Sequence, residues 1–163
     1  MIIKGKVHKF SDDINTDDIV AAKYLVSTDA LELGKHCMES IRPDFVSSVS
    51  AGHIIVAGKN FGCGSSREGA PANLKQLGIG CVVAESFGRI FFRNCIAIAL
   101  PVMACKGVSG LFKEGDRLQL DFEKALVKNI TTGKELKGPA LSPDLIKIVQ
   151  AGGILALLKQ ESE

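Results

Sequence analysis

The sequence lacks most of the features that mark nucleic-acid-binding and membrane proteins. It has no tryptophan and a single tyrosine, Tyr24, so it offers little aromatic surface on which bases could stack. Its formal net charge is only +2 and no long block of lysine and arginine occurs. No apolar run approaches the length of a membrane span. The composition therefore predicts neither a nucleic-acid partner nor a membrane partner.

The cysteines are few, odd in number and not spaced as metal ligands. The five are Cys37, Cys63, Cys81, Cys95 and Cys105. Because no two stand in a C-x-x-C arrangement, no zinc or iron–sulfur site is expected in this chain, and no metal ligand is assigned. The opening Met-Ile-Ile-Lys is unlike a secretory leader. With the odd cysteine count, it predicts reduced thiols and a cytoplasmic location.

The remaining composition predicts one mixed α/β domain over residues 1–163. Apolar residues make up 46% of the chain, enough for a sizeable core. Two continuous apolar runs, Ile54–Ala57 and Cys81–Ala84, predict strands buried on both faces. Between them, Pro71 and Gly78 mark the first turns and the end of a helix.

Later segments complete the predicted architecture. Residues 87–95 are predicted to be helical, and residues 96–103 to form a strand interrupted by Pro101. The alternation over 117–122 predicts an antiparallel hairpin. Ser142 and Pro143 predict the start of a last helix, which Gly152-Gly153 ends. The expected fold is a partly closed mixed sheet flanked by helices.

A glycine-rich loop, GKNFGCGSSRE at 58–68, links the first buried strand to the helix. Glycines there let backbone N–H groups converge, and the helix adds its positive end, so the loop is suited to an anion. Ser65, Ser66 and Arg67 stand in this place. An arginine grips a carboxylate bidentately, and a serine surrounded by donors can act as a base. The loop therefore suits proton abstraction beside a carboxylate that Arg67 holds.

Other interpretations of the loop stay open. It lacks both nucleotide-binding glycine patterns and the serine-hydrolase pattern. It can be no more than a tight turn, or it can belong to a non-catalytic anion-binding module. Cys63 sits where a helix N-terminus lowers a thiol's pKa, so a cysteine hydrolase is a further hypothesis. Arg89 and Arg93 share one helix face. Contact with a partner or with substrate stays open for them, but they are expected to be solvated or paired with acids and not catalytic.

Three motifs resemble those of one known family. They are residues 58–68, the segment DDINTDDI at 12–19, and ESFGRIFFRN at 85–94. In order and spacing they resemble the small, swivel-type domain of the aconitase superfamily, and most closely the small-subunit family of 3-isopropylmalate dehydratase. The resemblance implies a swivelling β/β/α fold like aconitase domain 4. It also implies a large partner subunit that holds a [4Fe-4S] cluster.

The resemblance also implies a reaction and residue roles. The expected reaction is the interconversion of 2- and 3-isopropylmalate by dehydration and rehydration, a step of leucine biosynthesis. Ser65 would be the catalytic base, while Ser66, Arg67 and Gly64 would bind the substrate carboxylate. Gly69 departs from the family pattern, which usually has histidine there, and this leaves the subgroup open.

A specificity loop is implied for residues Tyr24, Leu25, Val26, Ser27 and Thr28. Homoaconitase-like chains carry arginine where this chain has Val26, whereas valine suits an alkyl group. A 2,3-dimethylmalate dehydratase and a homoaconitase small subunit remain the alternatives. Self-association of the isolated chain also stays open.

Overall fold

Seven strands form one curled sheet in the computed structural model, which describes residues 1–24, 32 and 34–163. The strands are β1 (Ile2–Lys9), β2 (Ile54–Ala57), β3 (Cys81–Ala84), β4 (Val102–Ala104), β5 (Arg117–Asp121), β6 (Leu126–Asn129) and β7 (Glu135–Lys137). Their order is β4-β3-β2-β1-β5-β6-β7. The half from β4 to β1 is parallel, and the half from β1 to β7 is antiparallel. The predicted mixed α/β sheet is confirmed.

Helices cover the parallel half of this sheet. The described helices are α1 (Thr16–Ile19), α2 (Phe45–Ser48), α3 (Gly69–Leu77), α4 (Arg89–Ala97), α5 (Val108–Leu111), α6 (Pro143–Ala151) and α7 (Ile154–Glu161). A short 3₁₀ turn spans Ala22–Tyr24. The ends of α3 and α6 are as predicted: Gly78 and Gly152 both adopt the left-handed conformation that ends a helix.

The two apolar runs are buried on both faces, as predicted. Every residue of β2 and β3 is buried. Ile55 and Ala57 belong to a core that includes residues of α3 and α4. Ile54 and Val56 belong to a second core, formed with the antiparallel strands and α5. Because both sides of these strands are covered, their ends are held firmly where the glycine-rich loop begins.

The prediction of a strand over residues 96–103 was wrong for its first half. Helix α4 continues to Ala97, and only Val102–Ala104 are extended. Ile96 and Leu100 are buried four residues apart in the same core, a spacing that serves a helix and the turn after it. The separate helix α7 was not predicted, because the double glycine before it was interpreted only as a stop.

Two histidines join β1 to the segment before β2. His8 is 2% exposed, and its Nε2 lies 2.9 Å from Nδ1 of His53. Since the Ser50 N–H donates to the same Nδ1 of His53, the Nε2–H of His8 is the donor in the pair. Nδ1 of His8 lies 3.2 Å from the Glu114 carboxylate but is not aligned for a hydrogen bond.

We expect this pair to make stability depend on pH. Burial lowers the pKa of His8, and the charge of Glu114 only partly offsets this effect by raising it. His53 and Arg42 lower the pKa of His8 further. Burial, Lys6 and Arg117 lower the pKa of His53. The unfolded chain then binds protons at a higher pH than the folded chain does. The free energy of unfolding therefore has its full value above about pH 6.5 and falls as the pH drops below that value.

Urea unfolding of the wild type and of His8→Phe at pH 7.5 and pH 5.5 measures this effect. The wild type is expected to lose stability between the two values, and the variant to lose less. Glutamate and aspartate titrate mainly below this window, so they contribute little to the difference. An equal loss in both proteins would exclude His8 as the cause.

Candidate active site

The glycine-rich loop is fixed at both sides by backbone hydrogen bonds. The Gly62 N–H donates to the Ile14 carbonyl at 2.7 Å, and the Phe61 N–H donates to the Ser86 carbonyl at 3.0 Å. Gly62 has φ +77°, and a side chain there would overlap the ring of Phe91. The loop therefore needs glycine at this position for both its conformation and its packing.

The N-terminal motif wraps the loop from the other side. Asp12 Oδ1 accepts a hydrogen bond from the Lys59 N–H at 2.7 Å. The Thr16 N–H donates to the Cys63 carbonyl at 2.9 Å, and the buried Thr16 hydroxyl donates to the Ser65 carbonyl at 2.8 Å. Thr16 thus holds the backbone on both sides of Gly64. These hydrogen bonds explain how a motif near the start of the chain shapes a loop far along it.

Ser65, Ser66 and Arg67 lie together at the loop's tip. Gly64, Ser65 and Ser66 are exposed. The Arg67 side chain is only 18% exposed, and its Nη2 lies 2.7 Å from Asp17 Oδ1. Arg67 Nε lies 3.5 Å from the Ser65 hydroxyl, at the limit of a hydrogen bond. The ion pair therefore holds the guanidinium beside a serine hydroxyl that solvent can reach.

These residues line an open cleft of about 350 Å³, large enough for a small organic acid. Its lining consists of Thr16, Gly62, Cys63, Gly64, Ser65, Ser66, Arg67, Gly88, Arg89, Ile90 and Phe91. All four loop residues that the sequence singled out for catalysis or substrate binding are among them. Among the lining residues there are two arginines and no acid, so the cleft suits an anion.

The helix whose positive N-terminal end reaches the cleft is α4, whereas the sequence predicted the helix that follows the loop, α3. Helix α3 begins only at Gly69, two residues beyond Arg67. Helix α4 begins in the cleft itself, with Gly88 before its first turn and no side-chain cap there. Its first N–H groups therefore lack a side-chain partner at the cleft. Sequence reasoning missed this helix end, although the 85–94 motif marked the segment.

The expectation that Cys63 has a lowered pKa was wrong. Cys63 lines the cleft, yet its pKa is raised, first by burial and then by the charge of Asp13. The thiol is therefore less often ionised than an ordinary cysteine at neutral pH. This removes the main support for a cysteine hydrolase.

The predicted specificity loop is only partly described. Tyr24 ends the 3₁₀ turn and stacks on His36 with ring centroids 3.7 Å apart. It is not among the residues that line the cleft. Leu25, Val26, Ser27 and Thr28 lie outside the described residues.

Residues 1–24, 32 and 34–163 contain neither a metal-binding group nor a membrane-spanning helix. Within these ranges no group of three or more His, Cys, Asp or Glu residues is arranged to hold a metal ion. No helix in the same part of the chain is long and apolar enough to cross a membrane.

Comparisons with known proteins agree on one family. Residues 44–105 match the model of the aconitase C-terminal domain. The chain is 51% identical to the isopropylmalate/citramalate isomerase small subunit of Methanocaldococcus jannaschii, over 98% of this chain and 95% of that one. It is 47% identical to the 3-isopropylmalate dehydratase small subunit of Caldicellulosiruptor bescii, over 99% and 97%.

A solved structure gives the same result. The crystal structure of 3-isopropylmalate dehydratase from Methanocaldococcus jannaschii matches with a TM-score of 0.94 and 41% identity. The match covers 99% of this chain and 96% of that one. The swivel-domain fold that the motifs implied is therefore confirmed.

Proposed function

The chain belongs to the family of 3-isopropylmalate dehydratase small subunits, hydro-lyase components that act with a large subunit, and from this premise we propose that its glycine-rich loop supplies the base and the carboxylate-binding groups of the shared active site. The observation that carries the proposal is the joint position of Ser65 and Arg67 in one cleft without acidic lining residues. The proposed reaction interconverts 2- and 3-isopropylmalate, in leucine biosynthesis.

The proposed role of Ser65 is to move the proton on carbon. In 2-isopropylmalate, the CH₂ carbon beside a carboxylate loses a proton to the Ser65 oxygen, and the neighbouring carbon loses its hydroxyl. Water then adds to the double bond in the opposite orientation, and Ser65 returns the proton to the other carbon. The Ser65 oxygen is exposed at the cleft near Arg67 Nε and the start of α4. Positive charge and N–H groups there favour the ionised oxygen.

Arg67 is proposed to hold a substrate carboxylate. Its ion pair with Asp17 involves Nη2, and a guanidinium has five N–H donors, so donors remain for a ligand. Asp17 therefore fixes the orientation of the fork without occupying all of it. The Ser66 hydroxyl and the Gly64 N–H are the further groups proposed to bind the same carboxylate.

The leaving hydroxyl needs an electrophile that this chain is not proposed to supply. A [4Fe-4S] cluster, which we place in the large subunit, would supply Lewis-acid binding of that hydroxyl. Four thiols of this chain, those of Cys37, Cys81, Cys95 and Cys105, are buried, and only Cys63 lines the cleft. The absence of a metal-binding group among the described residues is consistent with this placement.

The substrate class is proposed to be alkylmalates. A relative that is 51% identical is named for both isopropylmalate and citramalate, which favours a small alkyl arm. Val26 offers an apolar side chain where homoaconitase-like relatives carry arginine. 2,3-Dimethylmalate has a small alkyl arm too, so it belongs in any substrate panel. A non-catalytic anion-binding module would bind these acids without converting them.

Substitution Val26→Arg in the enzyme assembled anaerobically with the large subunit tests the substrate class. The catalytic efficiency for isopropylmalate should fall, since an unpaired charge would face an alkyl group. Efficiency for homocitrate should rise, because the guanidinium can pair with the extra carboxylate. Steady-state kinetics with isopropylmalate, citramalate, 2,3-dimethylmalate and homocitrate give the ratio, and Val26→Leu is the matched control.

An unchanged ratio in a folded, assembled Val26→Arg enzyme would place Val26 outside the substrate pocket. If the wild-type enzyme turned over none of the alkylmalates, the proposed function itself would be wrong.

A further inference from the structure

The cleft contains a second arginine, which lies outside the glycine-rich loop. Arg89 is the first residue of α4 and lines the cleft together with Ser65 and Arg67. We infer that Arg89 binds the second carboxylate of the substrate, an inference that rests on the proposed function and deepens it. The observations that carry it are the position of Arg89, the charges around it, and the fixed attachment of its helix to the loop.

Of the two arginines that line the cleft, Arg67 has an acidic partner among the described residues and Arg89 has none. Arg67 already pairs with Asp17 at 2.7 Å. Within the described part of the chain, Arg89 is exposed and forms no salt bridge or side-chain hydrogen bond. A malate derivative carries two carboxylates, so one arginine balances only half of its charge. Arg89 supplies the missing positive charge on the same cleft wall.

The start of α4 is attached to the loop at short range. The Gly88 N–H donates to the Phe61 carbonyl at 2.9 Å. A Cβ atom on Gly88 would stand 2.6 Å from the Gly62 carbonyl oxygen, so the two backbones touch. Phe91 packs against Phe61 with ring centroids 5.4 Å apart. The backbone of Arg89 therefore keeps a fixed distance from the serines, as a carboxylate-binding residue requires.

Arg93 provides a matched control on the same helix. It lies one turn further along α4 and is also exposed. It lines two neighbouring depressions, one of which it shares with Arg89, but it is not part of the cleft that holds Ser65. A loss of charge at Arg93 therefore reproduces the general effect on helix α4 without changing the proposed carboxylate site.

The experiment compares Arg89→Gln and Arg93→Gln in enzyme assembled with saturating large subunit. Arg89→Gln is expected to raise KM for 2-isopropylmalate by about 10- to 100-fold, the usual effect of losing a hydrogen-bonded charge partner. Its kcat is expected to change less. Arg93→Gln should stay within about twofold of the wild type, and Arg89→Lys should fall between wild type and Arg89→Gln.

A second readout is independent of turnover. Isopropylsuccinate and 4-methylpentanoate, used as competitive inhibitors, differ by one carboxylate. The wild-type enzyme should prefer the dicarboxylate, and Arg89→Gln should lose most of that preference, whereas Arg93→Gln should keep it. Binding of each variant to the large subunit, measured by titration, separates a substrate role of Arg89 from a docking role.

Two results would overturn the inference while the proposed function stands: a KM and inhibitor preference for Arg89→Gln equal to those of Arg93→Gln, or a defect confined to large-subunit binding. A wild-type assembly without activity on alkylmalates would instead remove the proposed function on which the inference rests.

Discussion

Replacing Ser65 with alanine is expected to lower kcat of the assembled enzyme by about 10²- to 10⁴-fold, the usual contribution of a general base. The Ser65 hydroxyl is exposed at the cleft, and the Ser65 backbone carbonyl accepts a hydrogen bond from the buried Thr16 hydroxyl. Removing the hydroxyl leaves that backbone contact in place, so the loop should keep its shape. The loss should therefore appear in turnover, with a smaller change in KM.

The neighbouring serine is the matched control for this substitution. Ser66→Ala removes a hydroxyl from the same exposed tip, and its proposed role is substrate binding. We expect it to raise KM more than it lowers kcat. Near-normal turnover in Ser65→Ala, with assembly intact, would mean that another group is the base.

Gly62→Ala is expected to destabilise the folded chain more than Gly64→Ala does. Gly62 has φ +77°, which costs an alanine about 1–2 kcal/mol. The added methyl group would also overlap the buried ring of Phe91, and such overpacking costs about 1–3 kcal/mol more. The free energy of unfolding should therefore fall by about 2–5 kcal/mol, measured by urea unfolding of the isolated chain.

Gly64→Ala separates the two causes of this loss. Gly64 also has a positive φ, +92°, but a Cβ there would meet the Asn15 side chain only at an ordinary 3.5 Å. Its cost should be limited to the conformational strain of about 1–2 kcal/mol. If the two variants lost equal stability, contact between the loop and Phe91 would not be what requires glycine at position 62.

Much of the fold was predictable because its strongest patterns are local. The apolar runs that became β2 and β3 and the glycines that end α3 and α6 have few alternative structures. The failure at residues 96–100 has a physical cause. A short apolar run suits either a buried strand or a buried helix end, and only packing against the rest of the core selects one.

The residues of the glycine-rich loop could be predicted from the sequence, but the contacts that surround the loop could not. A glycine-rich turn with two serines and an arginine carries its chemistry within a few residues. In contrast, the hydrogen bond from Thr16 to Ser65 joins residues 49 apart, and the ion pair of Asp17 with Arg67 joins residues 50 apart. The raised pKa of Cys63 depends on burial and on Asp13. Such contacts depend on the tertiary structure, which no local pattern contains.

The most direct test of the central claim is an anaerobic titration of this chain into a fixed amount of the large subunit, with isomerisation of 2-isopropylmalate as the readout. We predict no activity from either component alone, and activity that rises to a plateau at one chain per large subunit. A Ser65→Ala chain should compete with the wild-type chain and lower that plateau. Isomerisation by the large subunit alone, or by this chain alone, would contradict a site shared between the two.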